Sequence, residues 1–209
     1  MKRTLFVTGI GTEIGKTYCS AMLTKALQAD YWKPIQAGDL HDLESEKVKL
    51  WSETTGAIHA SKYLLNTPAS PHHAADLDQL EMHLEDFECP ETSNHLIIEG
   101  AGGLLVPINQ EDTILDLIQH LDIPVVVVIR HYLGSINHSL MTLDILSNRG
   151  IKVDVLIFNG PASPHSEAVI EAVLKPTTTI LRLPDINWKE GNKVDEIALD
   201  WANKLNTKG

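Results

Sequence analysis

The stretch Gly9–Thr17, which reads GIGTEIGKT, follows the short apolar run 4–8 and opens a segment with helical periodicity. A glycine-rich turn between a strand and a helix exposes backbone N–H groups that can cradle phosphates. In such a loop the lysine reaches the outer phosphates and the threonine hydroxyl can hold Mg²⁺. The pattern G-x-x-x-x-G-K-[ST] is not met in full, because Ile10 occupies its first glycine position, with Gly9 before it and Gly11 after it. The stretch predicts a phosphate-binding loop, against the alternative of an ordinary glycine-rich turn.

Short β-rich runs alternate with helical patterns along the rest of the chain. The runs lie at residues 4–8, 31–35, 96–98, 124–129, 153–158 and 178–183. The helical patterns lie at residues 15–29, 113–121, 135–148, 167–174 and 194–205. Between them, residues 39–90 carry a weaker pattern, which indicates two helices joined by a loop through Asn66-Thr67-Pro68.

This alternation is typical of α/β proteins in which helices cover both faces of a parallel sheet. The runs 96–98 and 124–129 are continuously apolar, as strands buried on both faces are. We therefore predict a three-layer sandwich with a mostly parallel central sheet, similar to P-loop NTPases. One ATP-binding domain is expected to span residues 1–209. In such folds ligands bind beyond the carboxyl ends of the strands, so the residues that follow each strand are the first candidates for a site.

The composition limits the classes of partner. The 209 residues carry a formal net charge of -11, which gives no general attraction for nucleic acid or for an anionic membrane. Aromatic residues make up 5% of the chain, which leaves little material for stacking single-stranded bases. The two cysteines lie far apart and no signal-peptide pattern opens the chain, so a reducing, cytoplasmic location is expected.

A carboxylate follows one of the continuously apolar runs. Residues 96–98 lead directly into Glu99, and Gly100, Ala101 and Gly102 come next. P-loop enzymes place a second Mg²⁺ partner at the end of such a buried strand. The small residues after it let the backbone approach a phosphate closely. The alternative is a buried glutamate that caps a neighbouring loop.

Six sequence blocks distinguish this chain from ATP-binding proteins in general. In order they are GTEIGKT at 11–17, YWKPIQ at 31–36, SPH at 70–72, EGAGG at 99–103, LGSINH at 133–138 and FN at 158–159. Together these blocks resemble the dethiobiotin synthetase family. The phosphate loop is shared with many ATPases, whereas the KP, SPH, EGAGG and LGxINH blocks are much more specific.

The resemblance implies a ligase of biotin biosynthesis that uses ATP and Mg²⁺. Its small-molecule substrates would be 7,8-diaminononanoate and CO₂, and its products dethiobiotin, ADP and phosphate. One amine captures CO₂ as a carbamate, the carbamate attacks the γ-phosphate to form a carbamic-phosphoric anhydride, and the second amine closes the ring. The resemblance also implies a homodimer with the active site at the subunit interface.

Catalytic and metal roles follow from the resemblance, position by position. Lys16 and Lys33 are the expected catalytic residues, with Lys33 stabilising the carbamate and the transferring phosphoryl group. Thr17, Glu44 and Glu99 are the expected Mg²⁺ ligands. The family's aspartate falls near the acidic segment 42–46. Glu44 is chosen because Val48 and Leu50 then continue the helix in register, and Asp42 and Glu46 remain possible.

Binding roles are implied for larger sets of residues. Asn159 resembles the residue that reads adenine, Pro184 lies where the family closes over the base, and the helix start at 134–137 suits the substrate's carboxylate. The nucleotide set is Thr12, Glu13, Ile14, Gly15, Lys16, Thr17, Tyr18, Glu44, Glu99, Gly100, Ala101, Gly102, Asn159, Gly160, Pro184, Asp185 and Ile186. The substrate set is Ala37, Pro71, His72, Gly134, Ser135, Ile136 and Asn137. At Ala37 the family commonly has Ser or Thr, so a hydroxyl contact is missing or supplied elsewhere.

Other readings remain open. A regulatory or partitioning ATPase acting on a protein partner shares the fold, but its extra lysine early in the loop has no counterpart at residues 10–13. An amidotransferase-type ligase would need a glutaminase domain, for which there is no room. The ten histidines show no H-E-x-x-H spacing, so no zinc site is expected. Trp51, Trp188 and Trp201 are expected to be packing residues rather than a base-stacking set.

Overall fold

The computed structural model describes residues 2–207. Its strands are β1 Thr4–Gly9, β2 Asp30–Trp32, β3 Ile35–Ala37, β4 Ile58–His59, β5 Tyr63–Leu65, β6 Leu96–Glu99, β7 Val125–Arg130, β8 Val153–Asn159 and β9 Thr179–Leu183. Its helices are α1 Lys16–Leu27, α2 Glu44–Ser52, α3 Pro71–Leu77, α4 Ile114–Leu121, α5 Ser135–Asn148, α6 Pro164–Glu171 and α7 Gly191–Asn206, with a 3₁₀ turn at Leu84–Asp86. Within residues 2–207, none of these helices is both long and apolar enough to cross a lipid bilayer.

In the described residues the main sheet has seven strands in the order β4-β2-β6-β1-β7-β8-β9. Every pairing in it is parallel. Successive side chains of β1 point to opposite faces. Phe6 packs in a core with helices α4 and α5, whereas Leu5 and Val7 pack in a second core with helices α1 and α7. The predicted three-layer α/β fold is confirmed.

The prediction of one strand at residues 31–35 was wrong. The chain forms two strands, β2 and β3, which are separated by Lys33 and Pro34. Proline has no N–H group to donate to a sheet ladder, so the first strand ends before it. The carbonyl of Pro34 instead accepts hydrogen bonds from the N–H groups of Lys62 and Tyr63, and β3 pairs with β5 in a separate two-stranded sheet.

The region 39–90 also differs from its prediction. It contains the two expected helices, α2 and α3, but also the strands β4 and β5 between them. The Asn66-Thr67-Pro68 loop therefore joins a strand to a helix. Helix α6 begins at Pro164, three residues before the predicted start, because proline suits the first turn of a helix.

The parallel sheet brings the carboxyl ends of its strands to one edge. Val7 pairs with Glu99 in β6, so that carboxylate lies beside the start of the phosphate loop. On the other side of β1, Gly9 pairs with Val128, and further along the sheet Arg130 pairs with Asn159. Residues that are distant in sequence are thus gathered around the Gly9–Thr17 loop.

Candidate functional site

A cleft of about 780 Å³ opens at this edge of the sheet. It is bounded by the phosphate loop, the segment after β2, the start of α2, the loop 68–71 and the turn after β6. Its lining includes Lys16, Thr17, Lys33, Glu44 and Ala101, all of which belong to the predicted site.

The phosphate loop is held in shape by close packing and by glycine conformations. Gly15 has a φ of 86°, and a Cβ there would lie 2.1 Å from the side-chain nitrogen of Asn159. A Cβ on Gly9 would lie 2.8 Å from the carbonyl oxygen of Val128, whereas a Cβ on Gly11 would meet nothing within 4 Å. Close packing therefore requires glycine at positions 9 and 15. The first glycine of the pattern is accordingly found at position 9, one residue earlier than the pattern places it.

Lys16 is folded back over the loop. Its Nζ donates a hydrogen bond to the carbonyl oxygen of Gly11 at 2.9 Å, and the side chain is buried. Burial lowers the pKa of Lys16 to about 8; Glu99 opposes this shift and Lys33 adds to it. The ammonium is therefore held in a pocket that disfavours its charge, which a bound phosphate would relieve.

Thr17 joins two carboxylates at the floor of the cleft. Its hydroxyl lies 2.8 Å from Oε1 of Glu99 and 3.0 Å from Oε1 of Glu44. The hydroxyl of Tyr31 donates to the other oxygen of Glu99 at 2.9 Å, which fixes that buried carboxylate. Three hard oxygen donors therefore converge at one point.

This donor set fits Mg²⁺. The ion prefers oxygen ligands and usually takes only one or two carboxylates, completing its shell with water and substrate phosphates. Among the described residues, no group of three or more His, Cys, Asp or Glu side chains is placed to bind a metal by itself. Water and phosphate oxygens would have to complete the shell. Thr17, Glu44 and Glu99 would thus form a partial shell, open toward the phosphate loop.

Lys33 lies beside the same carboxylates. Its ammonium forms an ion pair with Glu44 and lies 3.5 Å from Oε1 of Glu99, and the residue is 4% exposed. Burial would lower the pKa of Lys33, but the charges of Glu99 and Glu44 outweigh burial and raise it. Burial also opposes the charge on Glu44, whose pKa is nevertheless lowered by Lys33. A buried cation is thus fixed next to the phosphate loop.

Among the three acidic candidates of segment 42–46, Glu44 contacts the cluster. Asp42 forms an ion pair with Lys47 at 2.6 Å, and Glu46 is exposed. Val48, one turn after Glu44, is fully buried, so the two side chains share the inner face of α2. Leu50 was expected to continue the same register, and this was wrong, because Leu50 is 73% exposed.

The predicted base-binding residues lie together at the ends of β8 and β9. The side-chain amide of Asn159 donates to the carbonyl oxygen of Ile14 at 2.7 Å, so this residue supports the phosphate loop. The backbone N–H of Gly160 donates to the carbonyl of Leu183, which brings the segment 184–186 alongside it.

The predicted substrate residues divide into two groups. Ala37 and Pro71 line the cleft, and His72 lies next to Pro71 but is not part of the lining. Its backbone N–H donates to the carbonyl of Pro107, and its Nδ1 is buried without a hydrogen-bond partner. The segment Gly134–Asn137 starts helix α5 outside the cleft of its own chain.

Aromatic rings at the rim of the cleft were not predicted as a group. Tyr18 and Trp51 stack with ring centroids 4.7 Å apart, and Trp51 and Trp188 stack at 5.5 Å. Tyr18 and Trp51 line the cleft while stacked on one another, so for Trp51 the expectation of packing rather than base stacking stays a prediction. It holds for Trp201, which is fully buried and donates its indole N–H to the carbonyl of Arg182.

Arg130 is a second cleft residue that sequence reasoning missed. The signal was present, because Arg130 ends a continuously apolar strand at the edge of the sheet where ligands bind. Its guanidinium lies 3.6 Å from Oδ1 of Asp185, beyond hydrogen-bond distance.

Comparisons with known proteins agree with this geometry. A family model described as an AAA domain matches residues 3–190. The chain is 49% identical over 176 residues to the ATP-dependent dethiobiotin synthetase BioD of Christiangramia forsetii, covering 84% of each chain. It is 47% identical to the ATP-dependent dethiobiotin synthetase BioD of Cytophaga hutchinsonii, covering 79% of this chain and 81% of the relative. For the protein of the same name from Brucella ovis the identity is 43%, over 88% and 87%.

Solved structures resemble the chain at the level of fold. A ParA family ATPase from Chlorobium tepidum has a TM-score of 0.52 at 17% identity, covering 96% of this chain and 97% of that one. A putative plasmid partition protein from Borrelia burgdorferi, bound to AMPPNP, has a TM-score of 0.55 at 11% identity, covering 96% and 99%. Identities this low establish a shared architecture and nothing more.

Proposed function

Since the chain belongs to the family of ATP-dependent dethiobiotin synthetases, we propose that it carboxylates 7,8-diaminononanoate with CO₂ and closes the ureido ring. ATP is consumed, and dethiobiotin, ADP and phosphate are released. The observation that carries this proposal is the buried Lys33, which lies between Glu44 and Glu99 beside the phosphate loop. A fixed cation there can stabilise both an anionic carbamate and a phosphoryl group in transfer.

The reaction needs positioning more than covalent help from the protein. One amine adds to CO₂ and loses a proton, which gives a carbamate. A carbamate oxygen then attacks the γ-phosphorus of ATP and expels ADP. The second amine attacks the carbamate carbon, expels phosphate and loses a proton to the solvent, which leaves the neutral ureido ring. Each step brings together groups of like charge or low reactivity, so orientation and charge neutralisation contribute most of the catalysis.

The chain's residues divide this work between them. Lys16 and the N–H groups of the loop would hold the outer phosphates, and Lys33 would face the transferring phosphoryl group. When bound, Mg²⁺ would be held by Thr17, Glu44 and Glu99 and would neutralise charge on the β- and γ-phosphates. Tyr31 keeps the carboxylate of Glu99 oriented toward Thr17.

We expect Glu44→Gln to raise the Mg²⁺ concentration needed for half-maximal rate by roughly tenfold or more, because it removes one charged ligand. The measurement is the initial rate as a function of Mg²⁺ at fixed ATP. Asp42→Asn is the matched control, since Asp42 pairs with Lys47 instead. If the two variants shifted the Mg²⁺ dependence equally, the assignment of Glu44 would be wrong.

A homodimer is part of the proposal, and an apolar patch supports it. We define this patch by Tyr132 and Leu133 just before α5, Ile136 in its first turn and Met141 in its middle; Leu133 is fully exposed. Exposed apolar patches of this kind mark protein interfaces. The patch adjoins the helix start at 134–137, which lies outside the cleft of its own chain. A second copy could bring that helix start to the cleft, where its N–H groups would bind the substrate's carboxylate.

We expect Leu133→Asp to weaken dimerisation by about 30-fold or more, because it places a charge in the centre of the patch. Analytical ultracentrifugation measures this, and the KM for the diamine should rise in parallel. Leu199→Asp on α7, at another exposed leucine on the opposite face of the sheet, is the control. A Leu133→Asp protein that stays dimeric would place the interface elsewhere.

The remaining parts of the proposal concern location and organisation. Cys19 and Cys89 are both free, which suits the reducing cytoplasm. We further propose that the chain acts as one ATP-binding domain, since the phosphate loop near its start and the segment 184–186 near its end border the same site.

A direct assay tests the proposed function. The protein is incubated with ATP, Mg²⁺, bicarbonate and 7,8-diaminononanoate, and dethiobiotin is detected by mass. ADP release should depend on the diamine. If ADP were released without the diamine and no dethiobiotin formed, the proposal would be wrong and a regulatory ATPase would be favoured.

A further inference from the structure

Arg130 lines the cleft, and the proposed mechanism gives it no role. It is the last residue of β7 and pairs in register with Asn159, the last residue of β8. Its side chain is 42% exposed and lines the cleft. A cation so placed at the ligand-binding edge of a parallel sheet is in reach of whatever fills the cleft.

Four Lys and Arg side chains of the described residues line the cleft, and the other three are engaged more closely. Lys16 donates to the carbonyl of Gly11, Lys33 pairs with Glu44, and Lys47 pairs with Asp42. Among residues 2–207, the ion-pair partner of Arg130 is the carboxylate of Asp185, at 3.6 Å, and that carboxylate is itself 63% exposed. The guanidinium therefore keeps donors and a flat face free for a ligand.

The described neighbours of the Arg130 guanidinium are Gly160 and Asp185, two residues that the family resemblance assigns to the nucleotide and that lie just outside the lining of the cleft. A Cβ on Gly160 would lie 3.6 Å from Cζ of Arg130 and 3.7 Å from Oδ1 of Asp185. The guanidinium therefore lies directly over the space that a side chain at position 160 would enter. The phosphate side is defined by other residues, Lys16 and Thr17, at the start of α1.

Resting on the proposed ATP-dependent function, we propose that Arg130 positions the nucleoside base, with its guanidinium stacked on the ring and Asp185 keeping it in place. A planar, weakly hydrated guanidinium stacks on aromatic faces, which a lysine ammonium does not do as well. Gly160 leaves that face uncovered, because it has no side chain. Stacking uses the π-face that every base presents, so this contact contributes affinity for the nucleoside without choosing between adenine and guanine.

The test compares nucleotide with inorganic triphosphate, which has phosphates and no base. We expect Arg130→Ala to weaken binding of ADP and of GDP by about tenfold each, and to leave binding of tripolyphosphate within about twofold. Arg130→Lys should recover little of the loss, because it restores the charge and not the plane. Calorimetric titration in the presence of Mg²⁺ measures all three ligands without any turnover.

Controls separate this proposal from its rivals and from the proposed function. Arg149→Ala removes an exposed arginine remote from the cleft and should change none of the three affinities. Equal losses for ADP and tripolyphosphate would overturn the proposal and assign Arg130 to phosphate. A raised KM for the diamine with unchanged ADP affinity would overturn it and assign Arg130 to the substrate's carboxylate. The dethiobiotin assay on the unaltered protein fails or succeeds independently of these titrations.

Discussion

Replacing Lys33 with alanine is expected to lower kcat by about a thousandfold while leaving ADP affinity within a few-fold. Removing one preorganised charge from a developing transition state typically costs rates of this order. Lys33 is 4% exposed, and no other lysine or arginine in the described residues contacts both Glu44 and Glu99. Water could not replace its charge without opening the site. Single-turnover formation of dethiobiotin, with ADP binding measured alongside, tests this expectation.

The same substitution should also destabilise the protein. Without Lys33, the carboxylates of Glu44 and Glu99 lie close together with Thr17 between them and lose the cation that pairs with them directly, and breaking a buried ion pair costs about 3–5 kcal/mol. Lys33→Met, which keeps most of the buried stem, separates the loss of charge from the loss of packing. The assigned role would be refuted by a folded Lys33→Met protein that forms dethiobiotin at nearly the normal rate.

Replacing Lys16 with methionine is expected to weaken ADP and ATP binding by about a hundredfold, because it removes a charge-assisted contact to phosphate. Unlike Lys33→Ala, this change should affect binding and turnover together. Calorimetric titration with ADP and steady-state kinetics with ATP measure the two effects. A variant that lost turnover but kept ADP affinity would contradict the assigned binding role and would show that Lys16 acts in the chemical step alone.

Lys16 also makes the stability of the nucleotide-free protein depend on pH. Its pKa is lowered from 10.5 to about 8 by burial, so the folded protein bears the full cost of the buried charge below pH 8. That cost is relieved as the pH rises from about 8 to 10.5, where the folded chain loses the proton before the unfolded chain does. The Tm of Lys16→Met minus that of the unaltered protein should therefore be largest below pH 8 and shrink above it. A difference that grew with pH would contradict the assignment.

Much of the site could be predicted because a parallel sheet gathers its strand ends. Glu99 ends β6 and the phosphate loop follows β1, so identifying these two strands was enough to bring them together. Lys33 was assigned from the family resemblance, because the predicted strand 31–35 ran through it, whereas β2 ends just before it. Glu44 needed one further argument, the helical spacing to the buried Val48. Fold and chemistry were thus encoded locally, in short segments with a clear pattern.

The rest depends on tertiary contacts that leave no local pattern. Strands β3 and β5 are three residues each, too short to show alternation, and they are stabilised by pairing with each other. The stack of Tyr18, Trp51 and Trp188 forms only when α1, α2 and the β9–α7 connection meet. The end of an apolar strand could have indicated Arg130, but its proximity to Asp185 could not be predicted, since no sequence spacing connects the two residues.

The aromatic stack has an optical consequence. The indoles of Trp51 and Trp188 lie with their planes only 16° apart and their centroids 5.5 Å apart, close enough for their electronic transitions to mix. The pair should then give a two-signed band in far-ultraviolet circular dichroism that neither indole gives alone. Trp51 is carried by the helix that begins at Glu44, and Trp188 follows Asp185 along the chain. The amplitude of that band therefore reports, without any attached label, the distance between the helix that carries Glu44 and the segment that follows Asp185.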